Sequence, residues 1–452
     1  MSAARGSAAG PDGVTRVGVI GCGYVFDHYM TTWSRHPRLR LAGVADRDAA
    51  RAARVGAFYG LRVYPDNAAL LADPEIDLVM NLTSIESHVE VTRAALEAGK
   101  HVYSEKPLTT DLAEARALAA LAESRGLALS CAPSNALGDT AQTLWKAVRD
   151  GAVGRPRLVY AEFDDNPIYL MSPEGWRSRS GAPWPYIHEY EQGCTYEHVG
   201  YHLTWMCAIF GPVRSVTAFS AVTVPDKTDH PLDPPDTPDF SVACLAFESG
   251  VVGRVTCSIA APLDHSARIV GDKGMLRADT YRHYRCPVYL ERFSKLSLNA
   301  RKAQSVRRSP LLQALFGVGG RRLKLARNPP PGESVDPGDG LGPWWSPRAA
   351  LTRLRRRELG QQDKCVGVAE LAAALRAGRP WFPAPDFTLH LTELTIAIQG
   401  ARADGAPRVL TTRFEPPAPT PATLSGAPDY GAGRPGLAAR LSEKLLDRLH
   451  RH

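Results

Sequence analysis

The chain has 452 residues, 44% of them hydrophobic, and a formal net charge of +7. That length supports two or three domains of ~100–200 residues each, and no run of ~18 apolar residues offers a transmembrane helix. The eight cysteines include no C-x-x-C pair, so neither a zinc ribbon nor a disulfide framework is indicated, and reduced thiols in a cytoplasmic protein are expected.

Residues 1–13 lack the apolar core of a signal peptide and read as a disordered lead-in. Val17-Gly18-Val19-Ile20 is a short run suited to a buried parallel strand, and it leads into Gly21-Cys22-Gly23-Tyr24-Val25-Phe26. This G-x-G-x-x-F is a variant of the dinucleotide fingerprint. Gly21 allows the tight turn, and Gly23 lets a pyrophosphate approach the backbone at a helix N-terminus. Phe26 stands where a third glycine is usual. A second strand, residues 39–45, ends at Asp46, close to the spacing at which a carboxylate takes the ribose hydroxyls of NAD. A carboxylate there repels a 2′-phosphate, which favours NAD over NADP; Arg47 softens that preference. Helices over residues 48–59, 87–98 and 111–125 then alternate with strands over 76–82, 101–104 and 127–131. The alternation predicts a doubly wound parallel sheet over residues 14–137, with ligands beyond the carboxyl ends of its strands. Asn81, Thr83, Glu105 and Lys106 fall at such ends.

Residues 141–149 read as a helix, and 158–163, 213–223, 240–247, 250–259 and 267–270 as strands of a second, mostly antiparallel sheet. The aromatic, basic and proline-rich loop of residues 176–186 contains Trp176, Arg177 and Trp184. Its rings suit the face of a sugar and its arginines suit hydroxyls or a phosphate. Between Arg292 and Arg327 lie ten lysines and arginines and no acid, so the rest of the chain is slightly acidic. A basic stretch carrying Leu311, Leu312, Leu315 and Phe316 suits an anionic membrane surface or an acidic ligand. No nucleic-acid reading module accompanies it. Residues 416–452 form a Pro-, Ala- and Gly-rich tail with leucines every four residues near its end.

Three stretches, GCGYVFDHY, GKHVYSEKPLTTDLAEA and GCTYEHVGYH with a following FGPV, resemble the glucose–fructose oxidoreductase / inositol dehydrogenase / MocA family. The similarity covers roughly residues 14–285 and resumes near 360–415. The resemblance implies an α/β Rossmann domain followed by an α+β substrate domain with a large, mostly antiparallel sheet (residues 138–415, with the basic insert at about 290–358). It also implies hydride transfer between NAD(P) and a secondary alcohol or ketone of a sugar, inositol or nucleotide-sugar, in a homodimer or homotetramer. The expected cofactor set is Gly21, Gly23, Tyr24, Val25, Phe26, Asp46, Arg47, Asn81, Thr83, His88, Glu105 and Lys106. The expected substrate set is Lys106, Trp176, Arg177, Trp184, His198 and His202, with a sugar-like, optionally anionic ligand. No metal and no nucleic acid are expected.

In that family the lysine of the E-K-P motif contacts nicotinamide or substrate and helps proton transfer, a role that passes to Lys106. Burial would lower its pKa toward the working range. The family's D-x-G-x-H pattern places the acid/base histidine at His202. Its aspartate position holds His198, which is expected to modify the site. On an ideal α-helix, His198 and His202 share a face and Glu197 points about 100° away, outside the group. Two other readings remain open at this level: a redox-neutral epimerase or glycoside-cleaving enzyme that retains NAD, and a non-catalytic NAD-binding sensor or scaffold.

Overall fold

The computed structural model describes residues 13–279, 284, 286–298, 300–326, 362–402 and 405–418. The lead-in, the second half of the basic insert and the C-terminal tail lie outside the described residues.

The first half alternates strand and helix: β1 (Thr15–Ile20), α1 (Tyr24–Met30), β2 (Leu39–Ala45), α2 (Ala49–Tyr59), α3 (Asn67–Ala72), β3 (Leu78–Asn81), α4 (Ile85–Glu97), β4 (His101–Ser104), α5 (Leu112–Ser124) and β5 (Leu129–Cys131). The strands pair in parallel in the order β2-β1-β3-β4-β5. β3 and β4 are buried along their whole length, as expected for strands covered on both faces. Asp48, Asp66 and Asp111 cap α2, α3 and α5 by accepting backbone N–H bonds, so each helix starts where a carboxylate can satisfy its first turn.

The second half adds α6 (Asp139–Arg149), β6 (Pro156–Asp164), α7 (Tyr186–Gln192), a π-helical turn (Thr195–Val199) running directly into α8 (Gly200–Phe210), β7 (Val213–Ala221), β8 (Phe240–Phe247), β9 (Val252–Ser258), β10 (Ala267–Gly271), β11 (Gly274–Ala278) and β12 (Val288–Arg292). There follow α9 (Ala300–Arg307), α10 (Pro310–Phe316), β13 (Arg321–Arg322), α11 (Val366–Ala377), α12 (Pro385–Gln399) and β14 (Arg408–Val409). Nine strands form one sheet in the order β13-β12-β11-β10-β6-β9-β8-β7-β14. Its neighbours are antiparallel except β6 with β9. α8, hydrophobic nearly all round, is buried against one face of this sheet.

Two features depart from the sequence reading. The start of the basic insert, which the sequence leaves without assigned elements, is folded: Leu296, Val306 and Val318 form a small core of their own, against which Leu312 and Phe316 pack. Helix α11 does not stay with the substrate domain, whereas α12 and β14 do. Cys365, Val368, Leu371, Ala372 and Leu375 of α11 and its entry join Val17, Phe26, Tyr29 and Tyr103 in the core of the first sheet. Arg376 donates to Thr15 Oγ1 at 2.8 Å, and Asp363 accepts from His36 at 3.1 Å. An apolar helix stripe finds its partner by packing, regardless of distance along the chain.

Candidate active site

The β1–α1 turn is built as the fingerprint requires. Gly21 adopts φ +102°, and a Cβ there would lie 2.5 Å from the carbonyl of Leu82. Nothing lies within 4 Å of the Cβ position of Gly23, which leaves the backbone open to a ligand. Asp46, buried at the end of β2, accepts from Cys22 N at 2.7 Å and Asp48 N at 2.8 Å. Its carboxylate therefore stands against the glycine turn, and the residues present fit a dinucleotide's pyrophosphate and ribose. Tyr24 and Val25 open α1 half-buried, and Arg47 is exposed. Phe26 corrects the sequence reading: its ring is in the core, edge-on to Tyr59 at 5.7 Å, so only its backbone can face a cofactor.

Asn81 and His88 organise the ends of β3 and β4. Asn81 donates to His88 O and Thr92 Oγ1 and accepts from both the N–H and the hydroxyl of Thr83. The His88 ring lies between the carbonyls of Pro107, 2.6 Å from Nδ1, and Thr83, 3.1 Å from Nε2. Burial holds it below the ordinary histidine range. Both side chains are consumed in fixing the loop that carries Lys106, whose peptide bond to Pro107 is cis.

Lys106 Nζ donates to Glu197 Oε2 at 2.5 Å. Each of these side chains retains 14% exposure, so solvent reaches both. Glu197 lies in the π-helical turn. The wider i→i+5 winding changes which residues share a face, and this overturns the placement of Glu197 outside the site. It also reverses the expectation for the lysine. Burial opposes its charge, but Glu197 outweighs it, with Tyr201 and Glu105 adding to the effect, and holds Lys106 above the usual lysine range. Lys106 is an ammonium here, not a neutral amine.

Beneath this pair sits a second lysine that no motif announces. Lys364 Nζ, buried, lies 3.1 Å from Tyr201 OH and 3.4 Å from Glu105 Oε1, over the rings of Tyr29 and Tyr201. Glu105 also accepts from Tyr29 OH at 2.9 Å and from Lys106 N at 3.0 Å. Burial opposes its ionisation, but Lys364, Lys106 and these bonds bring its pKa down to about 2.

The two histidines of GCTYEHVGYH do not meet Lys106. His202 is fully buried; its Nε2 donates to the carbonyl of Glu162 at 2.7 Å and its Nδ1 accepts from Trp205 Nε1 at 3.0 Å. Burial lowers its pKa to about 3, so the ring is neutral and committed to tying α8 to β6. His198 stacks on Phe163 and faces Glu189 at 3.2 Å and Asp165 at 3.7 Å, while His265 faces the same Asp165 at 3.3 Å. His202→Leu is therefore expected to cost about 2–4 kcal/mol of stability, since Trp205 N–H and the Glu162 carbonyl lose their partner. Turnover per folded molecule should stay within about tenfold, because both ring nitrogens are bonded within the fold and the ring does not meet Lys106. Urea unfolding beside steady-state kinetics checks this; a larger fall in kcat at unchanged stability would return the ring to the proton path.

The Trp176–Trp184 loop closes over the first domain. Its two indoles pack 4.8 Å apart, and Arg177 is held by the carbonyls of Glu174 and Trp176 within the loop itself. Ser180 donates through N and Oγ to Asp27 Oδ2 on α1, at 2.9 and 2.8 Å, and Tyr59 donates to the other carboxylate oxygen. Asp27, which the sequence reading missed, latches the substrate-side loop to the fingerprint helix. Asp27→Ala should cost about 1–3 kcal/mol and speed amide exchange across residues 176–184; unchanged exchange there would contradict the latch.

A Rossmann sheet with a glycine turn and a strand-end carboxylate, joined to an open antiparallel sheet over a lysine–glutamate pair, defines a dinucleotide-dependent two-domain protein. Residues 15–132 match the model described as the oxidoreductase family with an NAD-binding Rossmann fold, and residues 141–277 match the GFO/IDH/MocA C-terminal domain. The chain belongs to the GFO/IDH/MocA oxidoreductase family, and NAD is the cofactor that this membership carries. The chain is 28% identical over 245 residues to D-apiose dehydrogenase of Paraburkholderia graminis, covering 54% of this chain and 60% of that one. It is 27% identical over 263 residues to trans-1,2-dihydrobenzene-1,2-diol dehydrogenase of Bos taurus, covering 58% and 72%. It is 37% identical over 147 residues to UDP-N-acetylglucosamine 3-dehydrogenase of Acidithiobacillus ferrooxidans, covering 32% and 44%. The fold is shared with levoglucosan dehydrogenase in complex with NADH and levoglucosan (TM-score 0.65, 20% identity, 88% of this chain and 99% of that one). It is also shared with the WlbA dehydrogenase of Bordetella pertussis in complex with NADH and UDP-GlcNAcA (TM-score 0.62, 19% identity, 88% and 98%).

Proposed function

We propose that this protein transfers a hydride between NAD and a secondary alcohol or ketone on a sugar or nucleotide-sugar, with Lys106 as the residue at the reacting oxygen. The observation that carries the reading is the Lys106–Glu197 pair, partly exposed at the carboxyl end of β4, where ligands of parallel sheets bind. Gly21, Gly23 and Asp46 would hold the dinucleotide, which supplies the hydride acceptor. Lys106, as an ammonium, donates a hydrogen bond to the substrate oxygen and gives up its proton as a ketone is reduced. In the oxidation direction the ammonium first passes a proton through Glu197 to solvent, and the neutral Nζ then takes the hydroxyl proton, which restores the ammonium beside Glu197. Glu105, Lys364 and Tyr29 keep the lysine's backbone in place. Trp176 and Trp184 offer aromatic surface to a sugar ring, and a homodimer or homotetramer through the open sheet face completes the reading.

The test is turnover with NAD⁺ and a panel of free sugars, anhydrosugars and UDP-sugars, read by NADH absorbance. Activity on at least one class, lost in Lys106→Met, supports the proposal; a panel that is silent in both directions with bound nucleotide contradicts it. Asp46→Ser should weaken NADH by about tenfold or more and narrow the gap to NADPH, because the carboxylate no longer accepts ribose hydroxyls or repels a 2′-phosphate. Fluorescence titration with both nucleotides reads this, and an unchanged ratio would remove Asp46 from the ribose site.

A further inference from the structure

The folded part of the insert has no place in the chemistry above, and its surface is unusual. α10 exposes Leu311 (78%) and Leu315 (52%), one helical turn apart on the same face, and Leu298, just before α9, is 66% exposed. The cations Lys295, Arg308, Arg321, Arg322 and Lys324 surround these leucines in sequence and are exposed. Glu291, just before this stretch, is buried and paired with Arg307 at 2.7 Å. Cations on an edge strand have an ordinary use, since they discourage strand addition at β13. That use does not explain leucines turned outward on the neighbouring helix while Val306, Leu312 and Phe316 of the same segment turn inward.

We propose that residues 295–324 form a docking surface for an anionic phospholipid bilayer, with Leu298, Leu311 and Leu315 entering the acyl boundary and the surrounding cations at the headgroups. Apolar residues between cations match the layered chemistry of such an interface. A second copy of this chain fits worse, because two such basic patches repel. A nucleic acid supplies phosphates but no partner for aliphatic side chains, and the one aromatic residue of α10, Phe316, packs inward. No helix among the described residues is long and apolar enough to cross a membrane, so the contact is peripheral. The inference does not rest on the catalytic reading.

The experiment is co-sedimentation of the full chain with vesicles of phosphatidylglycerol and phosphatidylcholine, against phosphatidylcholine alone. Binding is expected only to the anionic vesicles and should weaken as salt rises. Leu311→Ser with Leu315→Ser, both at exposed positions, should reduce it about tenfold, and Arg308→Glu with Lys324→Glu should abolish it. Turnover in solution should be unchanged in both variants. Absence of binding to anionic vesicles overturns the proposal, as does binding that ignores the leucine changes. Leucine variants that alter only the oligomeric mass would reassign the patch to contact between copies and also overturn it.

Discussion

Replacing Lys106 by methionine is expected to lower kcat/KM by about 10²–10⁴-fold while leaving NADH affinity within a few-fold of the parent. Methionine keeps the length and apolar stem of lysine and removes the charge that Glu197 holds in place. The glycine turn and Asp46 are on other strands and do not depend on it, so nucleotide binding should survive. Lys106→Arg should not restore the rate. A guanidinium is planar, larger and never deprotonated near neutral pH, so it can pair with Glu197 but cannot pass a proton. Single-turnover kinetics beside nucleotide titration separates the effects: equal loss of binding and rate would mean that the lysine only organises the cofactor site.

Glu197→Gln is expected to have the second largest effect, and its signature is in the pH dependence. Glu197 is the chief opponent of burial at Lys106; without it, burial is opposed only by the weaker effects of Tyr201, Glu105 and Glu189, and the lysine pKa falls. The alkaline limb of the kcat profile should therefore move to lower pH by about 1–3 units. The variant also leaves a largely buried ammonium without its hydrogen-bonded carboxylate, which costs up to about 3–5 kcal/mol, less to the extent that solvent reaches the pair. The signs follow from the two shifts. Lys106 is raised in the folded state, so its contribution is present below ~10.4, the unfolded lysine value, and is lost as pH rises through the folded value. Glu197 is lowered from the ordinary 4.5, so its contribution is present above that value and is lost as pH falls through the folded one. The stability gap between parent and variant should be widest from about pH 5 to 9 and narrow in acid. Urea unfolding across that range checks it, and a gap that does not respond to pH would show that the pair is not ionic.

The Rossmann half was legible because its signals are local. Glycine and aspartate spacing, β-branched runs and caps such as Asp48 and Asp111 each act within a few residues, and the strands fell close to where the pattern placed them. Lys106 was legible for the same reason, through E-K-P after a strand. The rest of the site depends on what the chain does over long distances. Glu197 was set aside because ideal α-helical geometry points it away, and nothing in GCTYEHVGYH announces a π-helical turn. Lys364 follows the insert, more than 250 residues from the Glu105 it approaches, and a single lysine between Asp363 and Cys365 has no periodicity to read. His202 carried the motif's strongest expectation yet serves packing: the pattern gives a residue type and spacing, whereas the contacts of β6 and Trp205 decide which way the ring faces. Asp27 was available to a closer reading, as an acid in the first turn of the fingerprint helix, but its partner Ser180 lies in a loop whose path the sequence does not give.

The most direct test of the central claim is native mass spectrometry of the full-length chain titrated with NADH and NADPH. The account predicts one nucleotide per chain and tighter binding of NADH than of NADPH, with the Lys106→Met variant equally loaded. Folded protein that takes up neither nucleotide would contradict it.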